Sequence, residues 1–188
     1  MQKGERFDMI NEVQWFNAID KPFELYGIPK TFKRIPEEII KTFRDKELTE
    51  RFDTAGGRVR FSTDSAVIYI KTNVTKTMKT CFDLFEYIDG ADIFTGSVKL
   101  SYEPLQLGEF VTEIKVAEEI GKMRSYTLNF PQLGGFDSLM IGIDVGAKLE
   151  PGVKYINEKP VVFYGSSITQ GAWASRPGST YTAMISQK

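Results

Sequence analysis

The chain has 188 residues, a formal net charge of −1, one cysteine and no histidine. That length fits one domain, or one domain with a piece of a second, and the near-neutral charge argues against nucleic acid as a main partner. Cys81 alone permits no internal disulfide, and without histidine or a second cysteine no structural zinc site is expected; carboxylates could still ligate a cation, but no EF-hand spacing is present, and no metal or cofactor is expected.

The N-terminus, Met1-Gln-Lys-Gly-Glu-Arg-Phe-Asp8, has no apolar core of the kind a signal peptide carries. No run of about eighteen apolar residues occurs, so no membrane span is expected. The protein is then cytoplasmic, or periplasmic or secreted if a signal peptide has been removed.

The first strand candidate is Phe23–Ile28. Pro36-Glu-Glu-Ile-Ile-Lys-Thr-Phe43 follows, with proline and two acids opening one or two helical turns and Ile39 and Phe43 on one face. Period-two alternation then takes over. Arg58–Ser62 puts Val59 and Phe61 on one side, and Ala66–Thr72 is rich in β-branched and aromatic residues. Asn73-Val-Thr75 fits a glycosylation sequon but reads as a chance match. Asp83–Ile88 is a further strand. Tyr126, Leu128 and Phe130 share one face, and so do Leu139, Ile141, Ile143 and Val145.

Turn signals divide these runs at Ala55-Gly-Gly57, Thr63-Asp-Ser65, Asp89-Gly90, Pro131 with Gly134-Gly135, and Pro151-Gly152. The spacing predicts a mainly β chain. Residues from about 20 to 157 should form an antiparallel, jelly-roll-like β-sandwich, with Val59, Phe61, Ile68, Ile70, Leu128, Ile141 and Ile143 in its core.

The texture changes at Lys159-Pro160. Val161-Val-Phe-Tyr164 is continuously apolar, as a strand buried on both faces of a parallel sheet would be. Gly165-Ser-Ser-Ile-Thr-Gln-Gly171 follows, and Ser179–Ser186 is a helix candidate. Strand, turn and helix open an α/β domain. The division is therefore 1–157 for the sandwich and 158–188 for the start of a second domain.

Residues 165–171 are not a P-loop, because five residues separate the glycines and Ala172 follows. They are not a G-x-S-x-G elbow, because Thr169 stands where the last glycine should be. Gly-x-Ser-Ile after a buried strand is what fits. The block "YGSSITQGAWASRPGSTY" resembles the first block of the SGNH (GDSL-type) esterases and acylhydrolases. The resemblance implies a flavodoxin-like catalytic domain with Ser167 as nucleophile, framed by Gly165 and Gly171. The family often has Asp at the position of Ser166. Upstream, "TAGGRVRFSTDS" (Thr54–Ser65), "GADIF" (Gly90–Phe94) and "YTLNFP" (Tyr126–Pro131) resemble the sandwich that precedes this catalytic domain. GADIF is similar to that domain's Gly-x-Asp-Leu-Tyr signature.

The family's later blocks supply further oxyanion donors and an Asp-x-x-His base, and none of them is in this chain. A serine hydroxyl needs a base to become a nucleophile. The chain therefore reads as an accessory sandwich with only the nucleophile block of a serine esterase, inactive alone. The intact enzyme is expected to act on acylated carbohydrate or another small ester. A carbohydrate-binding or purely structural sandwich is the alternative. Residues 159–188 are expected to pack on the sandwich, to pair with a second copy or to be poorly ordered.

Four other residues have two readings each. Asp92 contacts substrate or the catalytic domain, or it serves a turn after Gly90. Arg176 binds substrate or anchors the serine loop, or it is a solvated charge. Trp15 and Trp173 stack on sugar, or they belong to core and interface.

Overall fold

The computed structural model describes residues 13–44, 54–76, 81–99, 107–157 and 159–187; Met1–Asp8 lies outside them. Ten strands are described: β1 (Val13–Asn17), β2 (Glu24–Tyr26), β3 (Arg58–Thr63), β4 (Val67–Lys76), β5 (Cys81–Ile88), β6 (Ala91–Lys99), β7 (Gly108–Lys115), β8 (Arg124–Asn129), β9 (Gly135–Asp144) and β10 (Leu149–Pro151). They pair antiparallel throughout. One sheet has four strands in the order β1-β9-β4-β7. The other has six, in the order β10-β3-β8-β5-β6, with β2 also on β3. β2 takes residues 58–60 of that edge and β10 takes 61–63.

Alternation sets the register, because slipping one residue would turn every apolar side chain to the wrong face. Val59 lies opposite Leu128 and Phe61 opposite Tyr126. In the other sheet, Ile68 faces Ile143 and Ile70 faces Ile141. All seven residues expected in the core are fully buried; six of them join one cluster with Phe82, Leu84, Phe130 and Phe136, and Ile143 lies opposite Ile68 in the register. Asp89 and Gly90 turn β5 into β6 with φ of 49° and 92°, the left-handed pair that a two-residue hairpin demands.

Several boundaries differ from the sequence reading. The sandwich begins before residue 20, since β1 pairs with β9 from Val13↔Asp144 to Asn17↔Met140. Strands β6 and β7 were not expected; each mixes charged, small and apolar residues with weak alternation. Val145 is exposed because β9 ends at Asp144. The first helix, α1 (Glu37–Ile40), buries Ile40 and leaves Ile39 and Phe43 exposed; four residues are too few for an apolar stripe. Asn73 of the sequon lies mid-strand, its amide donating to Asp137 at 2.9 Å.

The largest difference is at Val161–Tyr164. These residues form no strand and are exposed, Tyr164 completely. Among the described residues no strand lies beside them, and an unpaired apolar segment has no sheet to join. Beyond them come α2 (Ser167–Gln170), a 3₁₀ turn (Pro177–Ser179) and α3 (Tyr181–Ser186), close to the helix expected there.

At the heart of the core, Phe130 meets Phe32 at 6.0 Å, Phe82 at 6.2 Å and Phe136 at 5.3 Å between ring centroids. Phe130→Ala should therefore cost about 3–5 kcal/mol in denaturant unfolding, the range for removing a buried ring. A loss below about 1 kcal/mol would mean that the site collapses onto the gap.

Candidate functional site

The two sheets differ on their outer faces. Along β4, burial alternates with every residue, as it should when one face is wet. Along β3, β5 and β8 it does not: polar residues facing away from the core are buried as well. On this outer face lie Arg58, Arg60 and Ser62 of β3, Thr127 and Asn129 of β8, Asp83 of β5 and Asp92 of β6. The chain after β10 runs back across them. Val153 N–H donates to Ser125 Oγ at 2.9 Å, and Ser62 Oγ donates to the Pro151 carbonyl at 3.0 Å.

Two carboxylates anchor this covering. Asp92 pairs with Arg60 at 3.2 Å, with 3% and 2% of their side-chain surfaces exposed. Its other oxygen accepts from Thr127 Oγ1 at 3.0 Å. The Arg60 guanidinium lies 4.3 Å from the Tyr155 ring centroid and 5.5 Å from that of Tyr87. The Asp92 backbone N–H donates to the Gln187 carbonyl at 3.0 Å, and Arg58 binds Ser186 Oγ. Burial pushes the Asp92 carboxyl above its ordinary value, against the pull of Arg60, Thr127 and Arg58.

Asp83 is fully buried. It accepts from the Gly178 N–H at 2.9 Å and from Cys81 Sγ at 3.2 Å, with Arg176 Nε at 4.0 Å. Gly178 is required there, because a Cβ would run into the Phe85 ring. Arg176 lies 3.6 Å from the Phe94 centroid and donates to Ser179 Oγ at 3.0 Å. Burial raises the Asp83 carboxyl, opposed first by the Gly178 N–H.

The serine turn sits at the rim of this covered face. Ser166 occupies the N-cap position of α2 without a side-chain capping bond, Ser167 is the first helical residue, and both are exposed. Gly171 ends the helix at φ 86°, and its N–H and that of Ala172 donate to the Ser167 carbonyl at 3.1 and 2.9 Å. Gln170 Nε2 donates to the Gln132 carbonyl at 2.8 Å, tying the turn to the loop after β8. Thus Gly165, Ser167 and Gly171 lie together in the turn. Asp92 and Arg176 lie on the seam between the sheet and the tail.

Asp92 is a strand residue, not a turn residue: the turn is made by Asp89 and Gly90, and Asp92 lies opposite Tyr87. Trp15 meets Tyr69 edge-on at 6.2 Å, half-buried, while Trp173 is 80% exposed at φ 68°. Among the described residues no group of three acidic or cysteine side chains is placed to hold a metal. The reading of the sequence missed Asp83, Arg60, Thr127, Gln132 and Gly178. No local signal marked Arg60 or Asp83: each is a charge between core residues, Val59 and Phe61 for one and Phe82 and Leu84 for the other, which is the ordinary pattern of a strand with one wet face.

Two outcomes follow from these carboxylates. Arg60→Met strands a buried anion and should cost about 3–5 kcal/mol in chemical unfolding, whereas Arg60→Met with Asp92→Leu should recover most of it. Equal loss in both would mean that the pair matters through packing alone. Asp83 titrates above its ordinary value, so its contribution is fully present below about pH 4 and lost as pH rises through the raised value. Asp83→Asn should then raise Tm at neutral pH and leave it unchanged near pH 4. A fall at neutral pH would show the charge itself to be stabilising.

Two family models match the chain. Residues 158–188 match the GDSL-like Lipase/Acylhydrolase family. No curated protein matches the chain significantly. Among solved structures, a protein from Bacteroides ovatus ATCC 8483, provisionally described as a GDSL-like lipase, superposes with a TM-score of 0.76 at 27% identity, over 93% of this chain and 53% of its own. The salicylyl-acyltransferase SsfX3 from a tetracycline biosynthetic pathway shares the fold, with a TM-score of 0.67 at 18% identity, over 94% of this chain and 51% of its own. The chain thus spans about half the length of these solved relatives. Residues 13–149, most of the chain, match the family described as the N-terminus of SGNH-hydrolase-type esterases, and the chain belongs to that family.

Proposed function

We propose that this chain is the accessory sandwich of a serine esterase and presents the nucleophile Ser167. We further propose that the intact enzyme removes acyl groups from carbohydrate and that this chain alone is inactive. The observation that carries the reading is the serine turn itself. Ser167 is exposed on the first turn of α2, while Gln132 and the Asp83 seam hold its flanks. A rigid support for a reacting group is what a catalytic constellation needs.

In the intact enzyme, Ser167 Oγ would attack the acyl carbonyl and pass its proton to a histidine. The alcohol would leave with that proton, and water would then release the acid from the acyl-serine. N–H groups in the first turn of a helix have no carbonyl partner within it, so they are free to face a developing oxyanion. The histidine would have to come from outside these 188 residues, which contain none. The exposed Val161, Val162, Tyr164 and Ile168 would be covered by the rest of such a catalytic domain or by a second copy. Carbohydrate as substrate rests on the resemblance of the serine block, with Trp173, 80% exposed, two residues beyond Gly171.

A glycan-binding sandwich is the second reading. Trp15 and Tyr69 favour it, as an aromatic pair on the wet face of the four-stranded sheet.

The test is hydrolysis of p-nitrophenyl acetate and of an acetylated sugar by this chain and by its Ser167→Ala form. Equal background rates are expected. An extended form that supplies an Asp-x-x-His block should be active and should lose that activity on Ser167→Ala. A rate from the 188-residue chain that vanishes in Ser167→Ala would overturn the inactivity and point to a base other than histidine.

A further inference from the structure

We propose that Asp83 is a positioning residue for the serine turn and acts on Ser167 through a continuous line of contacts. The inference rests on Ser167 being the nucleophile.

The line starts in the sandwich. Asp83 Oδ2 holds the Gly178 N–H at 2.9 Å, on a fully buried side chain of β5. Gly178 lies inside the 3₁₀ turn, flat against the Phe85 ring, which leaves no room for a Cβ. That ring is backed by Phe94 at 5.6 Å, so it cannot swing away freely. Two residues on, Thr180 caps α3 by accepting from the Ala183 N–H at 3.2 Å. The Thr180 side chain also packs on Gly171, where it occupies the space a Cβ would need. Gly171 in turn donates to the Ser167 carbonyl at 3.1 Å, and Ala172 donates to it at 2.9 Å. Asp83 therefore reaches the Ser167 backbone through Gly178, Thr180 and Gly171.

A second anchor acts from the other side, where the Gln132 carbonyl takes the Gln170 side chain at 2.8 Å. The turn is pinned at both flanks, and both pins belong to the sandwich. Asp83 acts through a fully buried side chain, while Gln132 takes Gln170 on its backbone carbonyl and reaches the Ala174 carbonyl with its side chain only at 3.5 Å. An acceptor at this point must be buried and must reach a backbone N–H across the seam, and a carboxylate at the third residue of β5 does both.

Residue-resolved amide exchange on the 188-residue chain tests this, comparing the wild type with Asp83→Ala and Asp83→Asn. In Asp83→Ala, protection at Gly171, Ala172 and Gly178 should fall about tenfold or more while β3 and β8 amides hold. Asp83→Asn should restore it, because a side-chain oxygen still accepts. If Asp83→Ala does not fold, Gly178→Ala breaks the same contact from the tail side and should give the same pattern. Opening at Gly178 with Gly171 and Ala172 unchanged would break the proposed line. Equal loss in β3 and β8 would reduce Asp83 to a general structural role, and failure of Asp83→Asn to rescue would also overturn the proposal. Ser167→Ala should leave every one of these amides unchanged. The ester assay alone judges the nucleophile, so either reading can fail without the other.

Discussion

A carboxylate in the middle of a β-strand must face water or find donors. In this protein two of them, Asp83 and Asp92, find donors, one from the returning chain and the other from the sheet itself. Asp92, on β6, takes Arg60 from β3 and Thr127 from β8, so it is satisfied within the sheet. Asp83 takes Gly178 from the returning tail. Strands β3 and β8 and the first residues of β5 are consequently buried on both faces, with apolar contacts inside and hydrogen bonds and charged groups outside.

Polar burial of this kind resembles a domain interface more than a core. A core holds its parts by area and excludes water by packing. An interface of hydrogen bonds and one ion pair holds its parts by direction. The sandwich core would survive loss of the tail, since Val59, Phe61, Leu128 and Phe130 face the other way. The tail has less choice. Its helices have four and six residues, too short to stand without support. Dependence across the seam therefore runs mainly one way, from the serine turn to the sheet.

The same asymmetry explains what could be read from sequence. Core strands announce themselves locally, because Val59 and Phe61, or Ile141 and Ile143, alternate with polar residues within a few positions. That pattern held for all seven expected core residues. It misled on the other side of the same strands. Arg60 and Asp83 occupy the polar phase of the alternation, and a polar phase ordinarily means solvent. Their burial depends on residues about 95 or more positions later, in the case of Asp83 and Gly178. No window of sequence contains both partners. Likewise Val161–Tyr164 has the composition of a buried strand, but a strand is made by its neighbours. The serine turn was legible for a different reason: Gly165 to Gly171 close on themselves through bonds to the Ser167 carbonyl, and local closure leaves a local signature.

Two glycines show how finely the seam is fitted. Gly171 is needed for its left-handed φ and because Thr180 fills the space beside it. Gly178 is needed only for space, since the Phe85 ring lies against its Cα. One residue serves the turn and the contact, and the other serves the contact alone. Between them runs Arg176, whose guanidinium stacks on Phe94 while its Nε faces Ser179 and Asp83. A lysine could not replace it, because a point charge has no plane to lay on a ring. The stretch from Arg176 to Thr180 is thus shaped by the sheet beneath it, while the stretch from Gly165 to Gly171 is shaped by its own backbone. Thr180 against Gly171 joins the two, which puts an accessory sheet in contact with the backbone of an exposed serine.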